Sequence, residues 1–181
     1  MEYQFRAAGP EDVDDIIGII QERIDWMDEK NLYQWNRTNY MQRYPREYFL
    51  GRISSHEFYL AVDPEGKTVG VMALLLEDGR WTEDEKKNCY YVHHLATRPQ
   101  AKGAGKALLS FCEDLSLQEG KKVVRLDCQK GNDRLNAFYQ SLGYQVVGPM
   151  VEGAYEGIKR EKKLIKPHNF RVDCLIFSMT R

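Results

Sequence analysis

The strongest constraint on this chain is a short turn, rich in small residues, between a predicted β-strand and a predicted helix. The strand spans about 89–97, and the turn that follows it contains Gly103 and Gly105. The helix, about 105–119, has apolar residues on one face and ends at Gly120, which suits the left-handed position after a helix. Such a turn leaves unpaired N–H groups and the positive end of the helix dipole at one point, an arrangement that suits a phosphate.

Helical and strand patterns alternate along the rest of the chain, which predicts an α/β fold, and the length favours one domain over residues 1–181. Apolar residues at three- and four-residue steps predict a helix over 10–30, and a weaker one over 38–52 is interrupted by Pro45. The remaining predicted elements are strands 57–62 and 68–76 joined as a hairpin, strand 123–128, helix 132–142 closed by Gly143, strand 144–147, a long polar loop over 149–168, and a final strand 170–179.

Charge and apolar patterning exclude several classes of function. Lys and Arg total 26 against 27 Asp and Glu, a net charge of −1, so the chain lacks the basic excess that nucleic-acid binding needs. The N-terminus lacks the layout of a signal peptide, and the longest apolar run, near 69–76, is too short to span a bilayer. We therefore expect a soluble, cytoplasmic protein with neither nucleic acid nor a membrane as a partner.

The cysteines form no metal or redox motif. Cys89, Cys112, Cys128 and Cys174 lie far apart, with no C-x-x-C pair and no histidine at ligand spacing. The sequence therefore predicts buried free thiols in a reducing cytosol and no metal site.

The glycine turn departs from two common nucleotide-binding motifs. A P-loop needs a glycine where Gln100 stands and a Ser or Thr where Ala107 stands. A dinucleotide fingerprint needs a third small residue where Leu108 stands, and no clear ribose-binding acid follows a strand about twenty residues further on. A Gly-x-Gly turn by itself is weak evidence, so a tight connection that binds nothing remains an equal alternative at this point.

The segment from Leu95 to Tyr144 resembles the GNAT superfamily of N-acetyltransferases. That family has the order strand, Gln/Arg-x-x-Gly-x-Gly/Ala turn, helix, strand, and an Asn-initiated helix that ends in Tyr-x-x-x-Gly-Phe/Tyr. This chain matches with Gln100-Ala101-Lys102-Gly103-Ala104-Gly105, then Asn132, Tyr139 and Gly143-Tyr144. The resemblance implies the GNAT fold, a mixed and mostly antiparallel sheet of about six to seven strands with about four helices.

The turn is somewhat shorter than is usual in that family, which leaves two registers open. In one, Gln100 leads the motif and the following helix aligns without a gap. In the other, Lys102 leads, and Gly105 and Ala107 occupy the small-residue positions. Both registers leave the amides from Gly103 to Lys106 facing a pyrophosphate.

The resemblance further implies that acetyl-CoA is the co-substrate and that its acetyl group passes to an amine by direct attack in a ternary complex. The main chain of Leu95 to Thr97 would contact the pantetheine arm, with the Leu95 N–H supporting the developing oxyanion. By the same resemblance, the cofactor-binding residues are Leu95, Ala96, Thr97, Gln100, Lys102, Gly103, Ala104, Gly105, Lys106, Asn132 and Tyr139.

Tyr139 takes the family's position for the general acid. Its phenol has an ordinary pKa of about 10, so it is protonated at neutral pH. The alternative is an ordinary core aromatic beside Phe138. Asn132 could cap its own helix as well as touch the cofactor.

The sequence predicts His93 as the general base. His93 lies two residues before Leu95, hence on the same strand face if no bulge intervenes, whereas His94 points the other way. An imidazole with a pKa near about 6.5 can take a proton from an incoming ammonium. A strand histidine with no catalytic role remains an alternative, as do Glu57 and Glu77 at strand edges.

The acceptor is predicted only as an amine of a small molecule or peptide. Asp25, Asp28 and Glu29, with the acidic connection 77–85, would favour a cationic amine such as a polyamine, an aminoglycoside, an amino acid or a protein N-terminus. The same residues could instead form a solvated face. The aromatic residues Tyr33, Trp35 and Tyr40 cluster where the family builds its acceptor pockets.

Two other classes of function and one assembly remain open from the sequence. The same fold could serve as a non-catalytic acyl-CoA-binding or regulatory module, and an unrelated nucleotide-binding protein could use the turn at Gly103. The apolar run 174–177 could pair across a homodimer or fill the core.

Overall fold

A seven-stranded mixed sheet with helices on both faces forms the described part of the chain. The computed structural model describes residues 2–82, 88–153 and 155–165. The strands are β1 (Gln4–Ala7), β2 (Phe58–Val62), β3 (Thr68–Leu75), β4 (Cys89–Thr97), β5 (Val123–Gln129), β6 (Gln145–Glu152) and β7 (Tyr155–Lys163). The helices are α1 (Val13–Glu29), α2 (Tyr40–Arg43), α3 (Arg46–Ser54), α4 (Ala104–Gln118) and α5 (Asp133–Ser141), with 3-10 turns at Pro10–Asp12 and Trp35–Arg37. This confirms the predicted fold class.

The strands follow the order β1-β2-β3-β4-β5-β7-β6 across the sheet. All neighbours pair antiparallel except β4 and β5, which are parallel and are joined through α4, since parallel neighbours need a crossover connection. One core contains Ile16, Ile20 and Phe49 from α1 and α3, and the other contains Leu108 and Leu109 from α4. The sheet therefore lies between α1 and α3 on one face and α4 on the other.

The parallel strands β4 and β5 separate part of the way along their length. Their ladder joins Cys89–Tyr91 to Val123–Arg125 and then stops, although β4 continues to Thr97 and β5 to Gln129. Beyond Tyr91 the facing main-chain groups of these two strands are therefore not bonded to each other. The gap leaves room for a ligand that carries amide groups of its own.

A β-bulge in β4 interrupts the alternation of its side chains. Ala73 of β3 pairs with His93, and Val71, two residues earlier, pairs with Ala96. Two residues of β4 therefore stand opposite one residue of β3. His94 in the bulge has a φ of 51°, a left-handed conformation that few non-glycine residues adopt.

The predicted shared face of His93 and Leu95 is wrong because of this bulge. The Leu95 side chain packs into the core beneath α4, whereas His93 stands beside Ala73, which belongs to the core beneath α1. His94 does not point away from His93 either, since its ring packs against Phe49 and Phe58 of that same first core. The two histidines thus share the α1 face of the sheet.

The long loop predicted over 149–168 is also wrong, because most of this segment forms β6 and β7. Its charged residues Lys159, Arg160 and Glu161 are buried in the sheet. Glu161 Oε2 accepts from Arg125 Nε at 3.0 Å, and Arg160 Nη2 lies 2.9 Å from Asn136 Oδ1. Charges that neighbouring strands and helices satisfy allow a polar sequence to form a central strand.

Most of the other predicted elements agree with the structure to within a few residues. Pro45 separates α2 from α3, as predicted, and the predicted strand 144–147 is the first part of β6. The short edge strand β1 was not predicted. The described residues form five helices where about four were expected, and one of the five, α2, is a single turn. The final strand predicted over 170–179 lies outside the described residues.

The predicted state of the cysteines is confirmed where the structure describes them. Cys89, Cys112 and Cys128 are buried free thiols, and Cys174 lies outside the described ranges. In the part of the chain that the structure describes, no helix combines the length and the apolar character needed to cross a bilayer.

Candidate active site

A cleft of about 700 Å³ lies where β4 and β5 separate. Residues from α1, the segment 32–44, both separated strands, α5 and the β6–β7 hairpin line it. It brings together seven of the predicted site residues, namely His93, Leu95, Ala96, Thr97, Gly105, Asn132 and Tyr139. The other predicted cofactor residues do not line the cleft. They form the turn and the first residues of α4 at one end of it, and they are Gln100, Lys102, Gly103, Ala104 and Lys106.

The turn before α4 presents free main-chain donors. Gly103 caps the helix with a φ of 83°, which glycine adopts without strain. The Ala104 N–H is bonded to the Ala101 carbonyl at 3.2 Å, whereas the N–H groups of Gly105 and Lys106 have no acceptor within the described residues. These donors and the helix dipole fit the pyrophosphate of a coenzyme A.

The strand gap and the turn together fit acetyl-CoA. The edge of β4 that faces β5 is not paired with β5 beyond Tyr91, although the Thr97 carbonyl accepts from Arg23. Its remaining groups can bond to the amides of a pantetheine arm, since peptide-like groups pair with a free strand edge. Tyr3 braces the turn, because its hydroxyl donates to the Lys102 carbonyl at 2.9 Å. The side chains of Gln100 and Lys102 are both exposed, so neither register is favoured by burial.

Tyr139 is a buried phenol on α5 whose ring reaches the cleft. Its exposed fraction is 7%. Burial raises its pKa, and the nearby Cys128 and Asp127 raise it further by smaller amounts. No hydrogen bond joins its hydroxyl to another group within the described ranges. The phenol therefore stays protonated at neutral pH and retains a free donor.

Asn132 caps α5, as one of its two predicted roles requires. Its Oδ1 accepts from the Leu135 N–H at 3.0 Å, which satisfies one of the free donors of the first turn. Asn132 also lines the cleft, so its amide is within the region that a cofactor would occupy.

His93 belongs to a charged network on the α1 face of the cleft. Its Nε2 lies 3.0 Å from Asp78 Oδ2 and 2.9 Å from Arg80 Nη2. Arg80 Nη2 also contacts Asp127 Oδ1 at 3.0 Å, and Asp127 accepts from the Tyr155 hydroxyl at 2.7 Å. Burial alone would raise the pKa of the Asp78 carboxyl, but hydrogen bonds from His93 and Arg80 outweigh it and hold that pKa well below its usual value.

His94 is buried beneath the cleft with both ring nitrogens bonded. Its Nδ1 lies 2.5 Å from the Tyr40 hydroxyl and its Nε2 lies 3.0 Å from the Tyr48 hydroxyl. Burial lowers its pKa well below the ordinary value, with His93, Arg52 and Arg80 adding to the effect. A neutral imidazole here donates to one phenol and accepts from the other.

The acidic residues of α1 that suggested a cationic acceptor lie outside the cleft, whereas Asp78 of the acidic connection bonds to His93 and 83–85 lie outside the described residues. Asp25, Asp28 and Glu29 are exposed on α1, and Asp28 accepts from Asn36 at 2.7 Å. The two alternative bases, Glu57 and Glu77, do not line the cleft either. Glu57 pairs with Arg52 at 3.0 Å, and Glu77 is exposed.

The aromatic residues that follow α1 divide between the cleft and the surface. Trp35 and Tyr40 line the cleft, whereas the Tyr33 side chain is 65% exposed and does not.

Sequence reasoning missed several polar residues that line the cleft, namely Arg23, Arg80, Asp127 and Tyr155. Asp127 carried a usable signal, because it is a charged residue at an alternate position of an otherwise apolar strand. Arg23 carried one as well, since it interrupts the apolar stripe of α1. Arg80 and Tyr155 gave none, because each lies in a polar stretch that suggested a loop.

Comparison with known proteins was consistent with this geometry. A model of the acetyltransferase (GNAT) family matches residues 20–144. An uncharacterized N-acetyltransferase, YesJ of Bacillus subtilis (strain 168), is 26% identical over 151 residues, which is 79% of this chain and 82% of that protein.

Solved structures share the fold. A GNAT-family acetyltransferase from Listeria monocytogenes 4b F2365 has a TM-score of 0.75 at 23% identity, and the match covers 91% of this chain and 96% of that protein chain. The PaiA N-acetyltransferase from Thermoplasma acidophilum, solved in complex with coenzyme A, has a TM-score of 0.72 at 21% identity and covers 90% and 99%.

The chain belongs to the GNAT family of acetyltransferases, because the family model matches well over half of its length. It is therefore an acyltransferase, and acetyl-CoA is its co-substrate, as the sequence predicted. The family assignment leaves open the acceptor and the residues that act on it.

Proposed function

We propose that this chain transfers the acetyl group of acetyl-CoA to a primary amine of a small molecule or peptide, by direct attack in a ternary complex. The proposal rests on the cleft at the β4–β5 gap, which His93, Leu95 and Tyr139 all line. When bound, acetyl-CoA supplies an acetyl group activated as a thioester.

The chain's own groups hold the donor in two places. The N–H groups of Gly103, Gly105 and Lys106 bind the pyrophosphate at the start of α4, with the side chain of Gln100 or Lys102 alongside. The main chain of Ala96 and the N–H of Thr97 bond to the pantetheine arm along the free edge of β4, since the Thr97 carbonyl accepts from Arg23, and the Asn132 amide borders the same arm.

Three groups act on the reacting atoms. The Leu95 N–H donates to the acetyl carbonyl oxygen, where negative charge develops, and a donor of this kind contributes about 3 to 4 kcal/mol. His93, oriented by Asp78, accepts the proton of the attacking amine. Tyr139 donates its phenolic proton to the departing thiolate. Each proton transfer contributes roughly 10² to 10⁴ in rate.

The donor site is tested first by thermal unfolding with acetyl-CoA, ATP or NAD at equal concentration. A ligand at a hundred times its dissociation constant adds about 2.7 kcal/mol of stability, which raises the midpoint by roughly 5 to 10 °C in a domain of this size. We expect acetyl-CoA alone to raise it. Stabilisation by ATP or NAD instead would contradict the proposed donor site.

The assignment of Tyr139 is tested by thiol release from acetyl-CoA with a panel of amines. Tyr139→Phe should lower kcat at least about a hundredfold and leave the dissociation constant of acetyl-CoA unchanged. The matched control is Tyr144→Phe, since Tyr144 is also buried, lies 6.0 Å from the Tyr139 ring and does not line the cleft. Equal rates for the two variants would remove Tyr139 from the reaction.

The assignment of His93 is tested by His93→Asn in the same assay. The variant should lose activity at neutral pH and recover part of it as the pH rises, because more of the free amine is then already deprotonated. His56→Asn is the control, since His56 is an exposed turn residue with a φ of 57° that asparagine tolerates. A pH profile of His93→Asn identical to that of the native chain would exclude His93 as the base.

A further inference from the structure

The face of α1 that lines the cleft is basic, whereas its acidic residues point elsewhere. Arg23, Trp26, Met27 and Lys30 line the cleft at the three- and four-residue spacing of one helix face. Lys30 adds an exposed positive charge at the end of this stripe. The cleft therefore has a positive side along α1, opposite to what the acidic residues of the sequence suggested.

Arg23 is held in place with donors to spare. Its Nη2 donates to the Thr97 carbonyl and lies 3.0 Å from Thr97 Oγ1. Its Nε and Nη1 have no hydrogen-bond partner within the described residues, and neither is a fully buried atom, so both keep donors that are open to a ligand. No carboxylate pairs with Arg23 in the described ranges, although a guanidinium offers five donors in a fork that fits a carboxylate.

The acceptor half of the cleft also carries paired charges around His93. Asp127 and Glu152 line the cleft there and pair with the guanidiniums of Arg80 and Arg43, and Asp78, which does not line the cleft, also pairs with Arg80. His93 lies within this network, so an ammonium group attracted to it arrives beside the proposed base.

We infer that the acceptor is an amine that also carries a carboxylate, such as an amino acid or a short peptide, and that Arg23 binds this carboxylate. The inference rests on the proposed function, because it assigns the acceptor of the same site. It predicts that a polyamine, which has positive charge and no carboxylate, is a poor acceptor.

The spacing between Arg23 and the proposed acetyl position agrees with such an acceptor. Thr97, which holds Arg23, is two residues past Leu95, or about 7 Å along an extended strand. An amine that reaches the acetyl group beside Leu95 can thus place a carboxylate a few bonds away at Arg23. Trp26, Trp35 and Tyr44 also line the cleft and offer apolar surface to a side chain.

The test compares acceptors in pairs that differ only in the carboxylate. Amino acids and dipeptides are assayed against their C-terminal amides, with spermidine as a further acceptor, and CoA thiol release is the readout. We expect kcat/KM for each acid to exceed that of its amide by about tenfold or more, since a hydrogen bond to a charged group is lost in the amide. Amides or spermidine that react as well as the acids would overturn the inference.

Arg23→Gln should bring the acid-to-amide ratio close to one, and Arg23→Lys should restore part of it. The control is Arg37→Gln, which removes the same charge from an exposed arginine that stacks on Tyr33 at 5.0 Å and lies outside the cleft. An unchanged ratio in Arg23→Gln would overturn the inference. If KM for acetyl-CoA also rises in this variant, Arg23 binds the coenzyme phosphates instead.

The two proposals fail in different ways. Thiol release that depends on an amine, but not on its carboxylate, contradicts the acceptor class and leaves the acetyltransferase function standing. No thiol release with any amine, together with no stabilisation by acetyl-CoA, contradicts the proposed function itself.

Discussion

The Tyr40 hydroxyl lies 2.5 Å from Nδ1 of His94, the residue that forms the bulge of β4. The Tyr48 hydroxyl bonds to the other ring nitrogen at 3.0 Å, so the imidazole joins α2 and α3 to the strand. The next residue along is Leu95, whose N–H is the proposed oxyanion donor. Packing between these short helices and the sheet therefore helps to fix the main chain at the reacting centre.

Replacing His94 by phenylalanine should destabilise the fold by about 2 to 4 kcal/mol, because both hydrogen bonds are lost, one phenol is left buried without a partner, and a bulky residue must adopt a positive φ. Urea unfolding measures the change. Tyr48→Phe, which removes one of the two bonds, should cost only about 1 kcal/mol. A His94→Phe variant as stable as Tyr48→Phe would show that the imidazole bonds contribute little.

Acidification should weaken the fold through His94 in a defined pH range. Because its pKa is lowered in the folded state, the unfolded chain binds a proton more readily. Both states are neutral at this residue above the unfolded pKa of about 6.5, so stability is complete there. Below about pH 6.5 the unfolded state is protonated first, and the unfolding free energy falls by up to about 1.4 kcal/mol per pH unit.

Unfolding free energies between pH 7 and pH 5 test this behaviour. His94→Asn, which tolerates the positive φ, should remove most of the slope, and the exposed-site variant His56→Asn should keep it. Asp78 acts in a separate range, since its lowered pKa adds stability that is lost only as the pH falls below its unfolded value of about 3.9. A slope that survives in His94→Asn would assign the effect to another group.

Breaking the ion pair between Arg125 and Glu161 should lower the free energy of unfolding strongly. Arg125 Nη2 lies 2.9 Å from Glu161 Oε2, with side-chain exposures of 1% and 8%. Glu161→Gln leaves a guanidinium charge buried in the sheet and should destabilise the fold by about 3 to 5 kcal/mol in denaturant unfolding. Glu156→Gln is the contrast, because its pair with Lys130 is 63% and 64% exposed and should change stability by less than about 1 kcal/mol.

That ion pair also explains why part of the fold was not predictable. The elements β4, α4 and α5 give local signals, since the apolar spacing and the residues that end each helix lie within the element itself. In β7 the polar residues at 159–161 favoured a loop, and only neighbours such as Arg125, 36 residues away from Glu161 in sequence, make them compatible with a strand. Interactions of this range have no local pattern.

The residues of the candidate site also differ in how far the sequence alone could reveal them. Gly105, Asn132 and Tyr139 follow a motif with fixed spacing, and all three line one cleft. The bulge at His94 and the contact of Arg23 with Thr97, 74 residues away, depend on tertiary packing. The residues proposed to hold the donor therefore have a local sequence pattern, whereas those of the acceptor half depend on contacts that only the structure shows.

Asn132 offers a way to separate a cap from a cofactor contact. Asn132→Ala should cost about 1 kcal/mol of stability, because the bond to the Leu135 N–H is lost, whereas Asn132→Ser keeps a capping oxygen and should cost less than about 0.5 kcal/mol. If the amide also borders the pantetheine arm, Asn132→Ser should still weaken acetyl-CoA binding severalfold by calorimetry. Native affinity in the serine variant would restrict Asn132 to its structural role.

Gly105→Ala should separate ligand binding from stability at the turn. A Cβ on Gly105 would meet only Thr97 Cγ2 at 3.9 Å, an ordinary contact, and alanine favours a helix over glycine by up to about 1 kcal/mol. The melting temperature should therefore hold or rise. The added methyl group stands at the mouth of the turn beside free main-chain donors, so the dissociation constant of acetyl-CoA should increase about tenfold, equal to about 1.4 kcal/mol.

Gly18→Ala is the control for this variant. A Cβ on Gly18, within α1, would meet nothing within 4 Å, so it should raise the melting temperature in the same way and leave acetyl-CoA binding unchanged. If Gly105→Ala binds acetyl-CoA as tightly as Gly18→Ala, the pyrophosphate does not approach this part of the turn. The exposed side chains of Gln100 and Lys102 would then be the groups to test, because they are the remaining candidates of the two registers.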